Sequence, residues 1–344
     1  MNDPAALPRS PAAALEQVAA LRRAIVAALE PVIVGQREVI DGALAAVVSG
    51  GHCLLEGVPG LAKTLLVKSL AAALGLDFGR IQFTPDLMPA DITGTEVLEE
   101  ERDPATALSP VGGSRRLRFL PGPVFRHVLL ADEINRAPPK TQSALLEAMQ
   151  EGHVTVGGTT HPLPQPFLVL ATRNPIEQEG TYPLPEGQLD RFMFMLRVEY
   201  PDALEELEIV RRSGDERPVV GPVVDRAAVD AARRIVRSLP VADHVLRRAV
   251  QLVRSTRPTA AESPAWLRDL VRFGAGPRAT QFLVLAAKAI AALDGRPCVE
   301  LGDVHRAAPA VLRHRLVTTF EAESEGIRPD AIVQRLLGGD GPGG

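Results

Sequence analysis

The sequence predicts an α/β protein, a mostly parallel sheet covered by helices, followed by a smaller all-helical domain. Three observations carry this. Apolar strand-like runs alternate with amphipathic helical segments up to about residue 201. Several of those runs are continuously apolar, as strands covered on both faces must be. After Tyr200-Pro201 the strand runs stop and helical periodicity takes over.

Taken in order, residues 1–14 are rich in Pro and Ala and read as a flexible tail. Leu15, Val18, Leu21, Ile25 and Leu29 recur at helical spacing, and Pro31 ends that helix. A second helix is expected over Arg37–Val48. Strands are expected at Cys53–Glu56, Arg80–Phe83, His127–Asp132, Phe167–Ala171 and Phe192–Val198, with helices at Lys63–Leu74 and Thr141–Gln150. Two stretches interrupt the alternation. Gly94–Pro123 carries Gly112-Gly113 between strand pieces. Gly152–Pro166 carries Val154-Thr155-Val156, Gly157-Gly158 and His161-Pro162-Leu163. Both read as β-hairpins around glycine turns and are too long for plain connections. Further on, 202–212, 226–238, 243–255, 278–293 and 302–316 read as helices, with Asp225, Asp243 and Asp303 placed to cap. The expected domains are therefore 15–201 and 202–337, with a frayed end at 338–344.

Composition narrows the function classes. The chain has 344 residues, enough for two domains, and 46% hydrophobic residues, enough for a sizeable core. A net charge of −4 supplies no global basic field for nucleic acid. Cys53 sits in an apolar run, far in sequence from Cys298, and reads as a core residue rather than a disulfide partner. The seven histidines show no paired metal-ligand spacing. The N-terminus lacks the charged and apolar regions of a signal peptide, and no run approaches membrane-span length. A soluble, cytoplasmic protein is expected.

The chemistry centres on Gly57-Val58-Pro59-Gly60-Leu61-Ala62-Lys63-Thr64, between an apolar strand and an amphipathic helix. Such a loop aims backbone N–H groups at phosphate oxygens, and the helix that follows presents its positive end. Lys63 supplies a point charge for the β- and γ-phosphates, and Thr64 a hydroxyl for Mg²⁺. Gly usually precedes the Lys; here Ala62 does, which suits a backbone already in helical conformation. The alternative is an ordinary glycine turn. Against it stands the scarcity of lysine: only positions 63, 68, 140 and 288 carry it, in a chain that otherwise uses Arg.

Other strand ends add to this. His127–Ala131 leads into Asp132-Glu133, a carboxylate pair suited to holding Mg²⁺ through water (Asp132) and to polarising an attacking water (Glu133). A solvated strand end is the plain alternative. Asn174, at the end of the Phe167 strand, suits the γ-phosphate or the attacking water, and equally an Asn-Pro turn. Arg191 reads either as an exposed arginine or as one acting on a neighbour's γ-phosphate. Arg278 follows Gly276-Pro277 at a helix start, positioned to face the nucleotide if the second domain closes.

In this order the motifs resemble the AAA+ ATPases, and within them the MoxR family. The likeness is carried by Glu56–Thr64, Phe119–Phe125, Leu130–Ala137, Pro185–Phe192, Gly276–Ala279 and His314–Leu316, and spans roughly residues 30–337. The family also tends to carry Ala before the Lys. The resemblance implies a P-loop NTPase core with β-hairpin insertions and a helical lid, using ATP and Mg²⁺. It assigns Lys63 and Thr64 to Walker A, with Leu65 beside them, and Asp132 and Glu133 to Walker B. Asn174 falls at sensor 1, Arg191 at the arginine finger and Arg278 at sensor 2. Val34-Gly35-Gln36 falls at the segment near adenine, and the two hairpins at the helix-2 insert and the pre-sensor-1 hairpin. Two departures stand out. Arg173 replaces a common Gln and implies a more positive field at Asn174, and Gly276 replaces a common Ser.

The resemblance further implies a homo-hexameric ring with Arg191 acting across the interface and Arg278 on its own subunit's nucleotide. It implies remodelling or maturation of a client enzyme, with a von Willebrand factor A domain partner. Two other readings are a DNA-stimulated ring motor and an ATP-gated scaffold. The first requires a basic hairpin tip, which Thr155–Thr160 lacks, although Arg115, Arg116 and Arg118 lie in the other insert. The intact Glu133 and Arg191 argue against the second.

Overall fold

The computed structural model of the chain describes residues 10–101, 114–176, 180–214 and 218–338. Two helices open it, α1 (Pro11–Leu29) and α2 (Arg37–Ser49). The Ser10 side chain caps α1 by accepting from the Ala13 N–H, and Pro11 stands at its first position. The helix thus starts inside the stretch expected to be a tail. Its buried stripe, Leu15 to Leu29, holds the whole element down, including the turn before it.

The chain then runs through β1 (Cys53–Glu56), α3 (Lys63–Ala73), β2 (Phe78–Gln82) and the short α4 (Pro89–Thr93). A hairpin of β3 (Gly94–Glu101) and β4 (Ser114–Pro121) precedes β5 (Val128–Asp132) and α5 (Pro139–Glu151). A second hairpin, β6 (His153–Val156) and β7 (Thr159–Pro162), leads to β8 (Leu168–Arg173), α6 (Glu186–Leu189) and β9 (Phe194–Arg197). Five of these strands form one sheet in the order β2-β5-β8-β1-β9, every pair parallel. From β1, next to the edge strand β9, the chain jumps to the far edge and returns, which opens a crevice beyond the carboxyl end of β1.

Both expected hairpins are present. The second turns at Gly157 and Gly158, with φ of +56° and +81°; the Gly112-Gly113 turn of the first lies outside the described residues. The two touch: the Phe119 ring of β4 stacks on His161 of β7 with centroids 3.9 Å apart. Arg118 pairs with Glu99 across the first hairpin at 3.2 Å, so that basic charge is compensated.

The C-terminal part holds α7 (Ala203–Arg212), α8 (Arg226–Ser238), α9 (Asp243–Ser255) and α10 (Leu267–Leu270). It continues with β10 (Val271–Phe273), α11 (Pro277–Leu293), α12 (Leu301–Leu312), β11 (Val317–Thr318), α13 (Phe320–Ser324) and α14 (Pro329–Leu336). It is not purely helical, because β10 and β11 pair antiparallel. The helix expected over 302–316 stops at Leu312, and the residues beyond it turn toward the sheet. Asp225 caps α8 as expected, accepting from the Ala228 N–H at 2.8 Å. Asp243 instead sits inside α9 and caps nothing. Asp303, at the third position of α12, accepts from the Glu300 N–H at 2.9 Å and from Arg296.

One apolar core joins one sheet face to α1, α2 and α3 and continues without a break into α8, α9, α11 and α12. A second core covers the other face under α4 and α5. His52, just before β1, is fully buried between the layers. Its Nδ1 accepts from the Val169 N–H at 3.0 Å, so Nε2 carries the proton and donates to the Met149 carbonyl at 3.2 Å. Burial drives its pKa down to about 4, with the nearby Arg233 charge adding to the effect. A histidine held neutral in the fold stabilises it fully above the unfolded pKa of about 6.5, and that contribution is lost as pH falls toward 4. The full effect is roughly 3 kcal/mol. The urea midpoint is therefore expected to fall between pH 6.5 and 4 more steeply in the native chain than in His52→Gln; parallel curves would contradict this.

Candidate functional site

Beyond Glu56 the chain leaves the sheet at its carboxyl edge and enters the glycine loop. A β-carbon at Gly57 would lie 2.6 Å from the Val198 carbonyl oxygen, so the closeness of β9, not a positive φ, demands glycine. Gly60 has φ of +87° and open space where a side chain would be. Ala62 departs from expectation. It is left-handed, with φ of 55° and ψ of 22°, because the turn into α3 falls on this residue, outside the helix. An L-residue there costs roughly 1–2 kcal/mol. Gln36 and Glu133 are the other non-glycine residues with positive φ among those described, and both flank the same crevice. Strain of this kind gathers where geometry serves a ligand.

α3 begins with no side-chain cap and no acidic residue in its first turn. The leading amides of such a helix face an anion site. The Lys63 ammonium folds back on the loop, donating to the Gly57 carbonyl and, at 3.2 Å, to that of Val58. Beside the loop opens a cleft of about 880 Å³, a size suited to a small-molecule ligand, lined by Val34, Gln36, Leu61, Ala62, Leu65 and Ile209 among others. Gly35, with φ of +67°, lies against the Glu205 carboxylate, which any β-carbon would strike. Gln36 donates to the Glu199 carbonyl at 2.9 Å. Glu205 and Asp202 cap α7 reciprocally, so the 34–36 segment and the start of α7 are locked together.

The acidic pair lies at the same edge, at the end of β5. Asp132 is largely buried. Its Oδ1 accepts from the Thr172 hydroxyl at 2.7 Å, and its Oδ2 from Arg80 at 2.8 Å. The Glu133 carboxylate accepts from Gln82 at 2.8 Å and Arg136 at 3.0 Å. Its left-handed backbone turns it out of the strand, and the Thr172 hydroxyl accepts from its N–H at 2.8 Å. Asp132 Oδ2 takes two Arg80 donors and Glu133 Oε2 takes both Gln82 and Arg136, so acceptor capacity remains on Asp132 Oδ1 and Glu133 Oε1.

Between the two lies the end of β8. Asn174 is buried and its Oδ1 accepts from the Ile176 N–H at 3.1 Å, the turn an Asn-Pro sequence favours. Arg173 pairs with Glu56, which also meets Arg197 at 3.5 Å. Those two arginines hold the Glu56 carboxyl below the usual carboxylate range, although its burial opposes them. The extra positive field expected from Arg173 at Asn174 is therefore compensated. Gly276 is the N-cap of α11 but has no side chain to cap it.

The arginines fall elsewhere. Arg191 comes just before β9, at the amino edge of the sheet, the opposite end from the loop. Its guanidinium makes no hydrogen bond or ion pair with the described residues. Arg278 does not line the cleft; it donates to Asp190 Oδ2 at 3.3 Å, one residue from Arg191. Arg315 holds the other oxygen of Asp190 at 2.8 Å. The structure thus gathers the loop, Val34–Gln36, Asp132, Glu133 and Asn174 at one edge, and Arg191 with Arg278 at the other.

Sequence reasoning missed Arg80, Gln82, Thr172, Asp190 and Arg315. Arg80 and Gln82 carried a faint signal, polar residues at alternate positions of a strand. Arg315 lay within His314–Leu316, one of the segments that carry the family likeness, but no role attached to it there.

Comparison with known proteins agrees with this architecture. The profile of the ATPase family associated with various cellular activities (AAA) matches residues 52–194, and that of the AAA lid domain matches residues 266–336. Chaperone MoxR1 of Mycobacterium tuberculosis is 44% identical over 306 residues, covering 89% of this chain and 78% of that protein. Protein MoxR of Paracoccus denitrificans is 32% identical over 322 residues, covering 89% of this chain and 90% of that one. A Cytophaga hutchinsonii protein, solved as a candidate ATPase, is 40% identical, with a TM-score of 0.84 over 95% of this chain and 97% of that one. With the glycine loop and acidic strand end set along one sheet edge and a lid-type segment following, this chain belongs to the MoxR family of AAA+ ATPases.

Proposed function

We propose that the chain hydrolyses ATP in a homo-hexameric ring, as its resemblance to AAA+ ATPases implies, and uses the cycle to remodel or mature a client enzyme in the cytoplasm.

 The observation that carries this reading is the split between the two edges of the sheet. Lys63, Thr64, Asp132, Glu133 and Asn174 stand at the carboxyl edge, and Arg191 stands at the amino edge. Arg191 thus lies at the opposite end of the sheet from its own loop, which supports a reading in which a second copy supplies it.

In this reading the amides of the loop Gly57–Ala62 and the Lys63 ammonium bind the phosphates, and the cleft beside Val34–Gln36 and Leu65 takes the base. Thr64 and Asp132 offer hard oxygen donors that fit Mg²⁺, Asp132 through a water. When bound, that ion neutralises charge on the phosphate oxygens. Glu133 is the general base, Asn174 orients the water, and Arg191 of the adjoining copy stabilises the charge that develops. Glu133 must first leave its contacts with Gln82 and Arg136. Arg278, bound to Asp190, is grouped with Arg191 rather than with Lys63 of its own copy. A von Willebrand factor A domain protein is the proposed partner, in keeping with the family.

Glu133→Gln tests the hydrolytic role. It keeps the shape of the side chain and removes the base, so it is expected to bind ATP and to cleave it about 10²–10⁴-fold more slowly. Single-turnover hydrolysis measures this. Cleavage at the native rate would favour the ATP-gated scaffold, and affinity capture on the same variant is the route to the client.

A further inference from the structure

We propose that Arg315 is the positioning residue for Arg191: from just beyond α12 it grips the backbone on both sides of the arginine that one copy presents to the next. This rests on the reading of Arg191 as acting across a subunit interface. The Arg315 side chain is 2% exposed. Its Nη2 donates to the carbonyl of Asp190 at 2.9 Å and to that of Phe192 at 2.6 Å, the residues immediately before and after Arg191. Its Nε donates to Asp190 Oδ1 at 2.8 Å. The guanidinium also lies over the Phe282 ring of α11, 5.1 Å from the centroid.

The remaining nitrogen is also engaged. Nη1 donates to the Val311 carbonyl and lies 2.7 Å from His314 Nε2, which itself lies 3.0 Å from the Phe192 carbonyl. Burial and the neighbouring arginines hold the His314 pKa well below its ordinary value, so the ring is neutral. The planar fork thus spans one short segment from several directions, which a lysine cannot do. Asp190 completes the arrangement, with one oxygen on Arg315 and the other on Arg278 at 3.3 Å. Arg278 opens α11 and Arg315 follows α12, so two helices of the C-terminal part converge on the residue before Arg191. Movement of those helices is thereby movement of the arginine offered to the neighbour.

The test uses the full chain carrying Arg315→Lys, Asp190→Asn or Arg191→Ala. Asp190→Asn is nearly isosteric and decides the matter if Arg315→Lys does not fold. Each of the first two is expected to bind a fluorescent ATP analogue within about twofold of the native chain. Each is expected to lose about a hundredfold in kcat with little change in KM, the cost of a misplaced catalytic group. Adding Lys63→Ala subunits, whose Arg191 is intact and whose own loop is disabled, is expected to restore turnover at mixed interfaces. Loss of turnover without such rescue marks a merely structural role and overturns the proposal. If Arg191→Ala is inactive while folded Asp190→Asn and Arg315→Lys turn over normally, the positioning role is wrong and the interfacial reading stands. If Arg191→Ala itself turns over normally, the interfacial reading fails and this inference fails with it.

Discussion

Arg191→Ala is expected to bind ATP like the native chain and to hydrolyse it at least about 10³-fold more slowly, the lower bound for removing an arginine finger. Binding survives because the phosphate loop and the cleft lie at the other edge of the sheet, away from Arg191. The fold survives because the guanidinium makes no hydrogen bond or ion pair with the described residues. Truncation therefore leaves no buried partner unsatisfied. Steady-state phosphate release and analogue titration on the same preparation separate the two effects. Normal turnover would remove the need for a second copy in the site.

Lys63→Ala is expected to weaken ATP binding by about 100-fold or more. The ammonium makes charge-assisted bonds, and each such bond to phosphate contributes on the order of 1.5–3 kcal/mol. Among its contacts are the Gly57 and Val58 carbonyls of the loop's own backbone. A ligand that offers phosphate oxygens gives the same donors a charged acceptor in place of neutral ones. Analogue titration checks this, and an unchanged Kd would place the phosphates elsewhere. A thermal melt run alongside shows whether the loop alone has changed or the fold has gone with it.

These two expectations draw on different layers of information. The loop from Gly57 to Thr64 was legible because its residues are consecutive and each has its own local reason to be there. The same holds for Asp132 and Glu133, which simply end an apolar strand. The parallel sheet was legible from alternation and from runs too apolar to face water. The small β10–β11 pair was not, since strands of three and two residues are too short to show a period. Nor was the left-handed backbone of Ala62. Residue type said that a methyl group tolerates a helix, and the path of the chain into α3 required a turn instead.

Local chemistry along the chain was thus enough to name the fold, the phosphate-binding loop and the acidic strand end, because each depends on neighbours within a few residues. The grouping of Arg191, Arg278 and Arg315 around Asp190 was not, and neither was their separation from Lys63. Those contacts join positions more than eighty residues apart. They exist only because α12 packs on β9 and α11 packs on α12, and a charge finds its counter-ion by distance in space, not along the sequence.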